Sequence, residues 1–225
     1  MIPDNSHAIF LWHLPCFLTI RKTKGVLMDS LLGETVTYSS VFNINEIRKE
    51  AQNSLSEGAV TVDYPLDVKQ ACKILNEALA SEILCVLRYR HHQIVAKGIN
   101  YPQVAAEFKE HAESEEKHMI ELAERIDQLG GDPDMNPATI SARSATEYGT
   151  NGDLITMIRE DLVAERIAIE VYRQMIDWFS ADTTTRRMLE RILADEEEHA
   201  TELADLLVTV GQQDSSSVSF PNKQH

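Results

Sequence analysis

The sequence predicts an all-α protein, a four-helix bundle with one long crossover between its second and third helices and a short helix in front. Three observations predict it. Four stretches of similar length carry apolar residues at helical spacing, the links inside the first and second pairs are short, and the link between the pairs is long enough to travel the length of a bundle.

Residues 1–43 read as an N-terminal extension. Within them, 8–20 (AIFLWHLPCFLTI) form an apolar run broken by Pro15, shorter than the roughly 20 residues a spanning helix needs. A secretory signal would place its basic residues ahead of the run, yet the first one, Arg21, follows it. A non-native stretch upstream of an alternative start at Met28 fits these residues at least as well as an anchor or targeting peptide. A short amphipathic helix is expected over 44–57, with Ile44, Ile47, Ala51 and Leu55 on one stripe and Gly58 as its stop.

The four long segments are expected at 66–97, behind Pro65 and ahead of Gly98; at 102–129, opened by Pro102 and closed by Gly130 and Gly131; at 151–179, opened by the capping signal Asn151-Gly152-Asp153; and from Asp182 or Thr183 to Val210, ahead of Gly211. Each spans about 42–48 Å at 1.5 Å per residue. The links 98–101 and 180–181 are short, which makes each pair an antiparallel hairpin, whereas 130–152 is the crossover and 137–147 could form a small helix on the way. Residues 212–225, polar and containing Pro221, read as a flexible tail beyond a bundle domain at 44–211.

Charge narrows the function classes. Thirty-six acidic against 21 basic residues leave a net charge of −15, which repels phosphate backbones and anionic lipid and attracts cations. Direct DNA binding and membrane attachment are therefore not expected. Cys16, Cys72 and Cys85 are odd in number and form no C-x-x-C, against a disulfide scaffold or a zinc ribbon and in keeping with a reducing cytoplasm.

The chemistry emerges from what interrupts the apolar stripes. In the first long segment the stripe reads Leu75, Ala78, Leu79, Glu82, Val86, Tyr89; in the third it reads Ile158, Leu162, Glu165, Ala168, Ile169, Tyr172. The second passes Phe108, Ala112, Glu115, His118, Met119 and Leu122, and the fourth passes Leu189, Ile192, Leu193, Glu196, His199, Ala200 and Leu203. Residues three apart share a helix face, so each E-x-x-H presents its two side chains to one centre. The halves repeat: Glu82 to Glu115 is 33 residues, Glu165 to Glu196 is 31, and each lone Glu has a Tyr seven residues on. Four buried carboxylates would cost several kcal/mol each and repel one another, and no Lys or Arg lies on these stripes. Two divalent cations would balance them. A donor set of four carboxylates and two imidazoles favours iron or manganese over structural zinc.

The runs LNEALASEILCVLRYRHH (75–92), EFKEHAESEEKH (107–118), REDLVAERIAIEVYRQ (159–174) and LADEEEHATELADLL (193–207) resemble bacterioferritin-related ferritin-like proteins. More closely they resemble the miniferritin branch, related to the DNA-protection-during-starvation proteins, that keeps a bacterioferritin-type centre within each subunit. The resemblance implies a ferritin-like bundle and a ferroxidase centre with Glu82, Glu115, His118, Glu165, Glu196 and His199 as metal ligands, Glu115 and Glu196 bridging and Tyr89 beside them. It implies Fe(II) oxidation by hydrogen peroxide or dioxygen, two iron ions per subunit, and ferric storage in a homo-oligomeric shell.

Two departures modify it. Glu116 stands where bacterioferritins carry the haem-ligating Met, so no haem is expected; only the polar tail follows the fourth helix, which favours 12 subunits over 24. Tyr89 and Tyr172 could donate to ligand carboxylates or pass an electron, Tyr172 reading equally as a core residue with its hydroxyl satisfied; Asp161 and Asp195 could orient ligands or be plain surface acids, while Cys85 reads as a packing residue and His111 is left open. The competing readings are a di-iron peroxidase or manganese catalase, a DNA-coating stress protein, and an inert helical bundle.

Overall fold

A computed structural model describes residues 42–56, 58–97, 101–149 and 152–217. The apolar run at 8–20, Cys16, Met28 and residues 218–225 lie outside the described residues. The chain divides into units 1–43 and 44–225, and every helix described belongs to the second. Those helices are α1 (Ile44–Asn53), α2 (Val68–Val95), α3 (Tyr101–Gln128), α4 (Ile140–Arg143), α5 (Leu154–Trp178) and α6 (Thr183–Ser217). No strand occurs among the described residues.

Each long helix is bounded by local chemistry. Asp67 caps α2 by accepting from the Gln70 amide, and Asp153 caps α5 by accepting from Thr156. At the end of α3, Gly130 takes φ +78°, with its amide on Asp127 and that of Gly131 on Ile126, the paired closing bonds that a left-handed residue permits. Asp182 starts α6, accepting from the amides of Thr184 and Thr185. Helix α2 packs along α3 and α5 along α6; the ring closes where α3 meets α6 and α2 meets α5, and α4 lies against α2.

Two boundaries differ from expectation. Gly211 does not end the fourth helix, which runs on to Ser217 through the first part of the expected tail. The reason is that Gly211 does not take a left-handed turn, so it costs the helix only about 1 kcal/mol in propensity. The short helix stops at Asn53, and its apolar stripe is not buried: Ile44, Ile47 and Ala51 are exposed, as is Leu55 beyond its end.

The core is interrupted at mid-height. One cluster gathers Leu75, Leu79, Leu122, Ile126, Leu189 and Ile192, and another gathers Phe108, Ala112, Met157, Ile158, Leu203 and Leu206. Full burial of each Leu or Ile contributes about 1.5–3 kcal/mol. Between the two clusters stands a layer of carboxylates and imidazoles.

Candidate metal centre

Helical spacing aims six side chains at that layer. Glu82 comes from α2, Glu115 and His118 from α3, Glu165 from α5, and Glu196 and His199 from α6; all six are buried. Their donor atoms form two groups, Glu82, Glu115, His118 and Glu196, and Glu115, Glu165, Glu196 and His199, with the atoms of each group within 4.8 Å of one another. Glu115 and Glu196 belong to both. Glu115 places one oxygen 3.1 Å from His118 Nδ1 and the other 3.3 Å from His199 Nδ1, and Glu196 lies 3.2 Å from His118 Nδ1.

The donors lie close enough to shift one another's proton affinities. Burial, then the charge of Glu115, raises Glu82, Glu165 and Glu196 above the usual carboxylate range. Burial pushes Glu115 the same way, but the hydrogen bond with His118 and the neighbouring His199 imidazole outweigh it and hold it well below. Burial lowers both imidazoles, and Glu115 more than reverses this, bringing His199 up to about 9. Glu115 Oε1, Glu196 Oε1 and His199 Nδ1 are buried without a hydrogen-bond partner, and buried polar atoms are rarely left so. Donors that converge, repel and stay unsatisfied fit the binding of divalent cations.

A surrounding set of bonds holds the donors in place. Tyr89 on α2 donates its hydroxyl to Glu165 on α5, and Tyr172 on α5 donates to Glu82 on α2, so the two halves exchange these bonds crosswise. Burial, then the charge of the accepting carboxylate, raises both phenols, which keeps them as donors. Asp195 Oδ2 lies 3.0 Å from His118 Nε2, fixing the ring so that Nδ1 faces the carboxylates. A narrow cleft lined by Ala145, Thr146, Ala168 and Tyr172 ends on Glu82 and Glu196.

Other candidates fall differently. Asp161 bonds not to a ligand but to Arg88 Nε at 2.8 Å and His92 Nδ1 at 2.8 Å. Arg88 and Arg125 are buried in the bundle, although the stripes carry no basic residue; each is neutralised by its own aspartate, Asp161 and Asp182, and leaves the central carboxylates uncompensated. Cys85 packs in the core beside Thr146 and Arg88. His111 stacks on His199 with ring centroids 4.3 Å apart and lies 3.3 Å from the Tyr89 hydroxyl. Burial, then His199, brings its imidazole down to about 4. Sequence reading did not single out Arg88, His92, Glu107 or Glu202. A signal existed for Glu107, which precedes His111 by four residues. Glu116 is exposed on α3, 3.9 Å from Arg90.

No helix among the described residues is long and apolar enough to cross a membrane. A model described as a ferritin-like domain matches residues 72–212, which contain all six converging donors. A relative from Synechococcus sp., named nutrient stress-induced DNA-binding protein, is 30% identical over 142 residues, covering 61% of this chain and 81% of its own. A bacterioferritin from Desulfovibrio desulfuricans is 28% identical over 131 residues, 57% of this chain and 69% of its own. The bacterioferritin-related protein of Bacteroides fragilis, described as a dodecameric thioferritin, matches with a TM-score of 0.65 at 30% identity over 78% of this chain and 99% of its own. The matched segment is most of the chain and supplies all four helices of the ring with the acidic layer between them, so this chain belongs to the ferritin-like family.

Proposed function

We propose that this protein is a ferroxidase, which oxidises Fe(II) with hydrogen peroxide or dioxygen at a dinuclear site inside each subunit and sequesters the ferric product in a homo-oligomeric shell. One observation carries the reading: two four-donor groups that share Glu115 and Glu196, buried and, among the described residues, paired with no Lys or Arg. Membership of the ferritin-like family supports iron storage or protection in general; the particular chemistry rests on the donors.

Two Fe(II) ions bind as substrate. Glu82 and His118 hold one, Glu165 and His199 hold the other, and Glu115 and Glu196 bridge them. Hard carboxylates favour Fe(III) over Fe(II) and so assist loss of an electron from each ion. Two electrons and two protons reduce one peroxide to two waters, or one dioxygen to peroxide. Tyr89 and Tyr172 steady Glu165 and Glu82 through their hydroxyls, and Asp195 fixes the His118 ring. Haem has no part in this reading, because Glu116 stands at the position of the haem-ligating Met. The net charge of −15 counts against direct DNA binding despite the name of one relative. The setting is the cytoplasm, and the dodecamer described for the Bacteroides fragilis protein is the assembly we propose for this one.

The test is anaerobic Fe(II) titration followed by oxidant, with ferric absorbance as the readout. Fast oxidation should saturate at two ions per chain and vanish in Glu115→Ala and Glu196→Ala with the helical content retained. Undiminished fast oxidation in both variants would remove the site from the mechanism. Two manganese ions in the purified protein, together with rapid peroxide dismutation, would favour a catalase instead.

A further inference from the structure

A second set of donors stands one helical turn from the dinuclear layer. Glu107 and His111 are four residues apart on α3, and His111 is four before Glu115; Glu202 follows His199 by three on α6. The helical repeat therefore stacks them beside the central donors on adjacent helices. His111 Nε2 lies 3.0 Å from Glu202 Oε2 and 3.6 Å from Glu107 Oε1, and the three donor atoms are within 4.8 Å of one another. Donors on opposite sides of one transition-metal ion stand about 4.2 Å apart, so a small side-chain adjustment closes the set around a cation.

His111 Nε2 stands at hydrogen-bond distance from Glu202 Oε2, and its Nδ1 lies 3.3 Å from the Tyr89 hydroxyl. A neutral ring with its proton on Nδ1 turns the Nε2 lone pair towards the two carboxylates, the arrangement a cation would select. Among the described residues neither Glu107 nor Glu202 pairs with a Lys or Arg. A cation between them would offset the repulsion between the two carboxylates and take two charged oxygens and one imidazole nitrogen as ligands, a set suited to Fe(II).

Position gives the set a direction. The His111 side chain is 1% exposed, that of Glu107 28% and that of Glu202 43%, so the donors grade from solvent inward. His111 also belongs to a further group with Glu165 and His199, whose donor atoms lie within 4.8 Å. Overlapping groups thus run from the surface to the dinuclear layer.

We propose that Glu107, His111 and Glu202 form a third metal site, which captures Fe(II) at the protein surface and passes it to the dinuclear centre. The role in capture rests on the ferroxidase reading; binding at the site does not. Anaerobic titration of the full-length protein with Co(II), followed by calorimetry and visible absorbance, separates the two. Wild type should bind three ions per chain, Glu107→Gln/Glu202→Gln two, and Glu115→Ala/Glu196→Ala one. The carboxamide variant changes only partly exposed side chains, and its melting temperature serves as the folding control. At one Fe(II) per chain its initial rate of oxidation should fall about tenfold, the order by which focused charge raises association rates, with the final ferric yield unchanged. Two ions in wild type and an unaltered isotherm in the carboxamide variant would overturn the third site and leave the dinuclear reading intact. Loss of an ion without loss of rate would overturn capture. One ion in wild type, absent only from the carboxamide variant, would sink the dinuclear reading and keep the outer site.

Discussion

Glu115 sits between two imidazoles, and its charge governs how the metal-free site holds protons. Burial would lower His199, but Glu115 brings it up to about 9, so near neutral pH the ring carries a proton that must leave before its nitrogen binds a cation. Burial and the charge of Glu115 favour the protonated forms of Glu82, Glu165 and Glu196, which opposes cation binding in the same sense. Loading with a divalent ion should therefore acidify a weakly buffered solution, and affinity should rise with pH up to about 9; a pH-stat titration with Mn(II) measures both. Proton-neutral binding across that range would contradict this account. The six central donors were legible because each breaks an apolar stripe and because the two halves repeat the break. Glu202 was not, since an exposed acid on an acidic helix looks like a solvated face until the register of α3 against α6 brings it to His111. Arg88 and His92 escaped for a related reason: their partner Asp161 lies on another helix, and sequence spacing says nothing of contacts between helices.

Among the elements, the start of α6 carries a polar junction that ties it to α3. Asp182 caps the helix and accepts from the Tyr64 hydroxyl at 2.7 Å and the Arg125 guanidinium at 2.9 Å, while Arg125 also donates to Thr185. Burial pushes the Asp182 carboxyl up, but the bonds from Thr185, Tyr64 and Arg125 outweigh it and hold it at about 2. Its contribution to stability is complete above the ordinary carboxylate value and is lost as the pH falls from about 4 towards about 2. Replacing Asp182 with Ala uncaps the helix and leaves Arg125 buried without its partner, and should cost about 3–5 kcal/mol in urea unfolding. A loss below about 1 kcal/mol, the scale of an exposed ion pair, would show that the junction does not hold α3 to α6. Helix ends set by Asp67, Asp153 and Gly130 were readable, because each is a local bond between near neighbours. The run of α6 beyond Gly211 was not, because a glycine signals a stop only if the chain turns left-handed there.

For the molecule as a whole, the acidic layer is a cost that cations bound as proposed would convert into stability. An ion present at a hundred times its dissociation constant adds about 2.7 kcal/mol, or about 5–11 °C in melting temperature for a chain of this size. Scanning calorimetry with Mn(II) should show such a shift in the wild type and a smaller one in Glu115→Ala/Glu196→Ala. An inert bundle would melt at the same temperature with or without metal. The bundle and its two hairpins were legible from link lengths alone. The exposed stripe of α1 was not, because amphipathic spacing predicts a helix but not what covers it.

The crosswise bonds of Tyr89 to Glu165 and Tyr172 to Glu82 mean that neither hairpin completes its own half of the layer. Glu82, Tyr89, Glu115 and His118 correspond in turn to Glu165, Tyr172, Glu196 and His199, so a single hairpin paired with its own copy about a two-fold axis would make every one of these contacts twice. The covalent crossover then joins what symmetry alone could assemble, and frees the two copies to diverge.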